Sequence, residues 1–471
     1  TAPTGAGKTD FLLRRCDGRV FYILPFQASI NAMYDRIKSD LSNTNAQISL
    51  LHAASKLKVK DGKVEESIMQ HQIGSSVKIL TPHQVASVVY GIKGFEAMAN
   101  DIAGCDVILD EIHTYSDVIQ AIVLNLIEVL KSLRCRIHIG TATMPTVLYN
   151  KILSLLGGDK FVYQVKLPDN ILQTFDRHII HKVESFDDCY CLINRYLSEK
   201  SKILIVCNQV KRAQLLYESL TVHYPEISKM LIHSRFKRSR RQELESKLKY
   251  NYNEMTQPCI VVSTQVVEVS LDISFDVMIT ECAPIDALIQ RFGRINRKRN
   301  INTIGIYKNI YVIRPLDDKK DCLPYTTEIL QKSYDVLPDD NLMKETEVQC
   351  MIDTVYPKID FSNIDYTGIA FRKGSWMIKE LCHKPKSALL ETLDINSAIC
   401  IVQSDDTKYR ESSFVEQSGM EIPVSFRSVK YSNLNQLDIA SRPYIIPDCA
   451  YSDELGLVME KAKSNLYNLF L

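Results

Sequence analysis

The sequence predicts an α/β protein: two tandem, doubly wound parallel-sheet units and a smaller C-terminal domain. Three observations predict it. Short apolar runs alternate with amphipathic segments from Val20 to Thr280, the pattern of strands crossed over by helices. The alternation pauses once, near Leu155–Lys166, where Gly157-Gly158 ends a helix, and then resumes. After about residue 315 it fades. These points divide the 471 residues into 1–165, 166–315 and 316–471, in keeping with roughly 150 residues per domain.

The first unit has apolar runs at Val20–Leu24, Val77–Leu80, Val107–Leu109 and Ile137–Gly140. Uninterrupted runs of this length suit strands covered on both faces. Between the last two, Asp117–Leu133 places Ile119, Ile122, Val123, Leu126, Ile127 and Leu130 at helical spacing, with Ser116 as N-cap. The second unit repeats the scheme with strands at Ile203–Val206, Met230–His233, Cys259–Val262 and Val277–Thr280. Val210–Leu220 and Arg240–Leu248 read as its helices. In the last third, Glu328–Leu337 and Leu455–Leu469 have helical spacing. The Tyr- and Ser-rich stretch between them, with the only tryptophan at Trp376, has no period.

Composition sets outer limits. An apolar content of 45% with 24% charged residues is that of a globular protein with real cores. No apolar run approaches the ~18 residues that span a bilayer, so no membrane partner is expected. A net charge of +1 excludes a bulk polyanion binder but not a local basic track. The 13 cysteines form no C-x-x-C pair, which favours isolated thiols in a reducing cytoplasm over zinc or disulfides. The sequence opens without Met and inside a loop, which reads as a fragment with chain upstream.

That loop carries the first chemistry. Ala2-Pro3-Thr4-Gly5-Ala6-Gly7-Lys8-Thr9 has the form of a phosphate-binding loop with Ala at the first glycine position. Gly5, Ala6 and Gly7 bring backbone N–H groups close to a nucleoside triphosphate, Lys8 reaches its outer phosphates, and the Thr9 hydroxyl suits Mg²⁺. About a hundred residues on, Asp106–Leu109 leads into Asp110-Glu111-Ile112-His113. An acidic pair there suits metal binding by Asp110 and polarisation of a water by Glu111, which makes phosphoryl transfer the leading reading. Gly140-Thr141-Ala142-Thr143-Met144-Pro145 suits a switch segment, although a Thr pair ended by Pro is also an ordinary turn. Gln290-Arg291-Phe292-Gly293-Arg294-Ile295-Asn296-Arg297 spaces three arginines on one face, either as bidentate phosphate contacts or as a solvated basic face. The basic cluster Arg235–Arg241, with Phe236 inside it, suits a nucleic-acid backbone and equally a solvated helix start.

The order of these segments, with Leu24-Pro25-Phe26-Gln27, Thr81-Pro82-His83-Gln84 and Ser263–Asp272, resembles a superfamily-two helicase. The variants Pro25-Phe26, His233–Phe236, Thr264–Asp272 and Ala283–Arg291 resemble one family within it, the CRISPR-associated helicase–nuclease of type I interference systems. The resemblance spans residues 2 to 297 and implies two RecA-like domains with ATP and Mg²⁺ between them. It implies Lys8, Thr9, Asp110 and Glu111 as ATPase residues, Asp272 near the ribose, and Arg294 and Arg297 as arginine fingers. His113, Thr141, Thr143 and Gln290 would couple hydrolysis to domain motion. Pro25, Phe26, Thr81, His83 and Thr264, with Arg235 from the basic cluster, would lie along a nucleic-acid strand.

The implied activity is 3′-to-5′ translocation on single-stranded DNA opened by an RNA-guided surveillance complex. A related helicase acting on RNA or in DNA repair, or a nucleotide-gated binding module without turnover, are the alternatives. Many family members also carry an HD-type nuclease domain. No adjacent His-Asp pair occurs among the ten histidines, so nuclease activity is expected upstream, on another subunit, or not at all.

Overall fold

A computed structural model of the protein describes residues 2–24, 33–34, 37–38, 40, 42, 48–51, 75–92, 94–112, 117–268, 271–297, 300–358, 370–372, 375–377, 397–430, 432, 434–439 and 442–464. Its first sheet contains β1 (Val20–Ile23), β2 (Ile48–Leu51), β3 (Val77–Leu80), β4 (Asp106–Asp110) and β5 (Arg136–Gly140). All pairings are parallel, in the order β2-β3-β1-β4-β5. Side chains alternate between two covered faces. Phe21, Ile23, Leu80, Val107 and Leu109 pack with the helices Pro82–Tyr90 and Asp117–Ser132, while Val20, Tyr22, Ile79 and Ile108 pack with Leu12, Tyr34 and Ile37. Burial on both sides is why these strands read as continuous apolar runs.

The second sheet has seven strands: β6 (His178–Val183), β7 (Lys202–Val206), β8 (Ser228–Ile232), β9 (Cys259–Ser263), β10 (Val277–Glu281), β11 (Lys308–Ile313) and β12 (Asn341–Met343). Their order is β12-β6-β11-β10-β7-β9-β8, parallel except where β12 runs against β6. The fold is thus α/β with two parallel-sheet units, as expected. In β6 the histidines His178 and His181 interrupt the apolar run, and they are met by groups distant in sequence. His181, for example, meets Asp340 at 2.6 Å and Asn309 at 3.0 Å.

The second core continues beyond residue 315. Leu330, Tyr334, Leu337, Met343, Ile352 and Val355 join it through β12 and the helices Thr327–Val336 and Val348–Val355. The chain then returns to the first unit. There a hairpin of β13 (Phe371–Arg372) and β14 (Ser375–Trp376) places the Trp376 ring 5.4 Å from Phe95 and 5.0 Å from Phe371.

A separate small core surrounds β15 (Ser397–Val402), which pairs antiparallel with β16 (Ile422–Ser425) and parallel with β17 (Tyr444–Ile446). A hairpin of β18 (Tyr451–Ser452) and β19 (Gly456–Leu457) follows, then a helix at Met459–Ser464. The rest of the expected helix, beyond residue 464, lies outside the described residues. Among the described residues no helix is long and apolar enough to cross a membrane.

Candidate functional site

The glycine-rich loop sits at the C-terminal ends of β4 and β5. Gly5 and Gly7 hold left-handed φ of 85° and 75°, which L side chains rarely adopt, and Lys8 opens the helix Lys8–Arg14. The Ala6 N–H donates to the Pro3 carbonyl at 3.2 Å, and the Ala2 N–H donates to the Thr141 carbonyl at 3.3 Å. The loop is therefore tied to the segment after β5.

Asp110 ends β4, and Glu111 follows it with a φ of 51°. That conformation costs a non-glycine residue roughly 1 kcal/mol or more, so the surroundings must impose it. The Glu111 N–H donates to the Gly140 carbonyl at 2.8 Å, and Lys8 Nζ lies 3.3 Å from Glu111 Oε1. Asp110 Oδ2 accepts from the Tyr22 hydroxyl at 2.6 Å, and Tyr22 also meets the Thr9 hydroxyl. Asp110 Oδ1 is buried without a hydrogen-bond partner. Burial, then the neighbouring Glu111, push the Asp110 carboxyl up to about 7.

The second unit presents Arg291, Arg294 and Arg297 from the end of the helix Ile285–Phe292. The three are not equivalent. Arg291 is fully buried and donates to Glu268 (2.8 Å), Thr280 (2.9 Å), the Glu281 carbonyl (3.0 Å) and Asn208 (2.9 Å). Arg294 gives Nε to the Val267 carbonyl at 2.6 Å, Nη1 to the Leu271 carbonyl at 2.9 Å, and Nη2 to the Glu268 carbonyl. Burial and then Arg297 depress its pKa, while the fields of Asp272 and Glu111 oppose them. Arg297, half-buried, pairs with Asp272 at 2.9 Å. The finger pair expected from the sequence thus divides: Arg294 holds the carbonyls of Val267, Glu268 and Leu271, and Arg297 keeps part of its guanidinium accessible. Gln290 is buried on the same helix.

Thr141 and Thr143 are also buried, with the Thr143 N–H donating to Thr141 Oγ1 at 3.2 Å. The link from this segment to the second unit runs through its neighbours. Gln349 Nε2 donates to the Met144 carbonyl at 3.0 Å, and both Asp353 carboxylate oxygens accept from Thr146, each at 2.7 Å.

The expected nucleic-acid residues are scattered. Thr81 is buried, its N–H donating to Gln84 Oε1 at 2.9 Å at the start of the helix containing His83. Thr264 is buried at the end of β9. Pro25, Phe26, His113 and Ser116 lie outside the described residues.

The basic cluster corrects the expectation of a free cationic track. Arg235 is mostly buried, its carbonyl accepting from the Leu457 N–H at 2.8 Å. Lys237 pairs with Asp405 at 2.7 Å, Arg238 with Glu421 at 3.4 Å, and Arg240 donates to the Asp453 carbonyl at 3.1 Å. These cations hold the C-terminal domain.

The sequence reading missed Tyr22, Arg177, Gln349 and Asp353. Tyr22 had a weak signal, a lone polar group inside an apolar run; the others had none. Among the described residues one group offers metal-ligand atoms together: Cys16, Asp106 and His138. Asp106 already pairs with Arg136 at 2.6 Å and His138 at 2.8 Å, and burial pushes the Cys16 thiol up to about 12. Asp106 and His138 satisfy one another, and the Cys16 thiol donates to the Leu12 carbonyl, without a metal ion.

Residues 1–150 match the DEAD/DEAH box helicase family, and residues 199–300 match the family described as CRISPR-associated nuclease/helicase Cas3, C-terminal. The CRISPR-associated nuclease/helicase Cas3 of Methanothermobacter thermautotrophicus is 27% identical over 388 residues, covering 77% of this chain and 46% of that protein. The CRISPR-associated endonuclease/helicase Cas3 of Escherichia coli is 25% identical over 359 residues, covering 63% of this chain and 40% of that protein. The chain thus spans about half the length of the curated relatives it matches. In fold it is similar to T. fusca Cas3 crystallised with AMPPNP, with a TM-score of 0.74 and 18% identity over 97% of this chain and 67% of that one.

Proposed function

We propose, from these likenesses, that the chain is a CRISPR-associated Cas3-like helicase and the ATP-driven motor of such a protein. In this reading it hydrolyses ATP and moves 3′-to-5′ along single-stranded DNA. One observation carries it. The phosphate-binding loop that leads into Lys8 packs against the arginine segment of the second unit: a Cβ on Gly5 would lie 3.2 Å from the Arg297 carbonyl, and one on Gly293 would lie 2.6 Å from Thr4 Oγ1. Catalytic groups divided between two α/β units suit a reaction that depends on their closure.

Backbone N–H groups of Gly5, Ala6 and Gly7 cradle the phosphates, and an incoming phosphate competes with Glu111 for Lys8. Freed from that pair, Glu111 orients the attacking water and takes its proton. Its left-handed backbone aims it there. Arg297 crosses from the second unit to meet charge that grows on the transferring phosphate. Arg294 holds the loop carrying Asp272 against the same seam.

The orphaned Asp110 Oδ1, with the Thr9 hydroxyl nearby on Tyr22, fits an Mg²⁺ site. Mg²⁺ held by Thr9 and Asp110 supplies charge neutralisation on the phosphates. Single-stranded DNA and an RNA-guided surveillance complex are the proposed partners. Two things support them: the curated relatives are CRISPR-associated, and a similar chain occurs in a structure titled "CRISPR RNA-guided surveillance complex, pre-nicking".

The test is ATP turnover with single-stranded DNA and with RNA across a salt series. DNA should stimulate, and its effect should fall steeply with salt as phosphate contacts release counterions. Equal stimulation by RNA would remove the DNA assignment. Absence of turnover with either would leave the nucleotide-gated module.

A further inference from the structure

Arg177 stands at the foot of β6, where the chain enters the second unit, and only 1% of it is exposed. Its carbonyl accepts from the Lys308 N–H at 2.9 Å, which fixes its backbone beside β11. The guanidinium reaches in two directions. Nη2 donates to the Thr4 carbonyl at 3.0 Å and to Thr4 Oγ1 at 2.6 Å, inside the phosphate-binding loop of the first unit. Nη1 donates to the carbonyls of Asn296 and Arg297, each at 3.4 Å, in the second unit. One planar group therefore holds the loop and the backbone of Arg297 together.

The surroundings leave little slack. A Cβ on Gly293 would lie 2.6 Å from Thr4 Oγ1, so the two units meet there at a distance only glycine permits. A Cβ on Gly5 would lie 3.2 Å from the Arg297 carbonyl. Stripping a buried guanidinium of an acceptor is costly but not forbidden, so each bond it makes resists separation. Parting the units removes both Thr4 acceptors at once. Arg177 is therefore bonded on both sides only when the loop and Arg297 are in register.

We infer that Arg177 is a positioning residue for ATP hydrolysis, clamping Thr4 to the Arg297 backbone so that the Arg297 guanidinium meets the bound triphosphate. This rests on the ATPase reading above. Arg177 itself touches neither phosphate nor water in this role. It acts through Arg297, and an ammonium cannot replace it because one point charge cannot bridge acceptors on both sides. The bland alternative is a structural arginine that only ties the linker to β6.

The experiment uses the full chain with saturating single-stranded DNA. Turnover, affinity for a fluorescent ATP analogue and thermal midpoint are measured for wild type, Arg177→Met, Arg177→Lys, Thr4→Val, Thr4→Ser and the Arg177→Met/Thr4→Val double variant. Misplacing a reacting group by about an ångström costs up to ~100-fold in rate. Arg177→Met should therefore lose on the order of 10- to 100-fold in kcat while ATP affinity stays near wild type. Arg177→Lys should recover little, and Thr4→Ser, which keeps the hydroxyl acceptor, should lose less turnover than Thr4→Val. Thr4→Val, which removes the 2.6 Å bond and keeps the carbonyl one, should cost less than Arg177→Met and add nothing to it, because both act on one link. Losses that multiply, or normal kcat in Arg177→Met, would overturn the clamp. If Arg177→Met does not fold, normal kcat in Thr4→Val overturns it, and reduced kcat restored by Thr4→Ser supports it. A wild-type chain without turnover would instead sink the ATPase reading beneath it.

Discussion

Three arginines at one spacing do three jobs, because each meets a different set of acceptors. Arg291 and Arg294 are enclosed by acceptors on their own unit, whereas Arg297 meets the Asp272 carboxylate and, more weakly, the Gly293 carbonyl and keeps part of its guanidinium exposed. Their variants should separate accordingly. Arg297→Ala should lower kcat by roughly 10³-fold, the range of an arginine finger, with little change in thermal midpoint. Arg294→Ala should lower both, since three backbone carbonyls lose a donor. Steady-state kinetics beside thermal melts reads this, and equal behaviour of the two would refute the division. Glu111→Gln should retain ATP and lose turnover. Near-normal rates in that variant would end its role with the attacking water. The loop and the acidic segment were legible in sequence because each is a run of neighbouring residues, and the fold brings Lys8 to 3.3 Å from Glu111. The division among the arginines was not, since it depends on carbonyls from Val267 to Leu271 folded over one of them.

At the scale of elements, the helix Thr146–Leu156 shows how the units communicate. Its N-cap is Pro145, which offers no side-chain acceptor, and the missing cap comes from Asp353 on the second unit's helix Val348–Val355. Asp353→Ala should cost about 1 kcal/mol of stability, as for loss of a cap. It should also reduce DNA-stimulated turnover more than basal turnover, because the segment after Thr143 loses its tether. Equal loss of both rates would make the cap merely structural. Strands buried on both faces were readable one by one. β6 was not, because its histidines are satisfied by neighbours distant in sequence, as His181 is by Asp340. The extension of the second core to Val355 was hidden for the same reason. A helix's apolar stripe reports that it packs, not upon what.

Across the whole molecule, the C-terminal domain docks on the second unit through the segment His233–Arg241. Its pH response follows from His233. The ring accepts from the Arg235 N–H at 3.1 Å through Nδ1, so Nε2 carries the proton and donates to the Leu455 carbonyl at 3.0 Å. Burial, partly offset by the Leu455 carbonyl, holds the imidazole down at about 3 instead of 6.5. A base depressed in the fold adds stability above its unfolded value and loses it as pH falls. His233's contribution should therefore decline between pH 6.5 and about 3, by on the order of 4 kcal/mol, against an opposite contribution from Asp110, whose carboxyl is raised to about 7; the difference between wild type and His233→Asn isolates it. The Leu457 amide, which donates to the Arg235 carbonyl, should lose hydrogen-exchange protection in step. His233→Asn should flatten the decline. A pH slope unchanged in that variant would place the titration elsewhere.

The sequence by itself determined the two α/β units and the phosphate-binding and acidic segments. Apolar period and loop chemistry are properties of neighbouring residues, and they survive without knowledge of the fold. Only the tertiary structure decided which arginine faces the seam, and that the basic cluster binds protein. It alone brought Arg177 to Thr4 across 173 positions of chain. Such pairings arise when two units close on each other, and a buried polar group is satisfied by whatever acceptor that closure brings within reach.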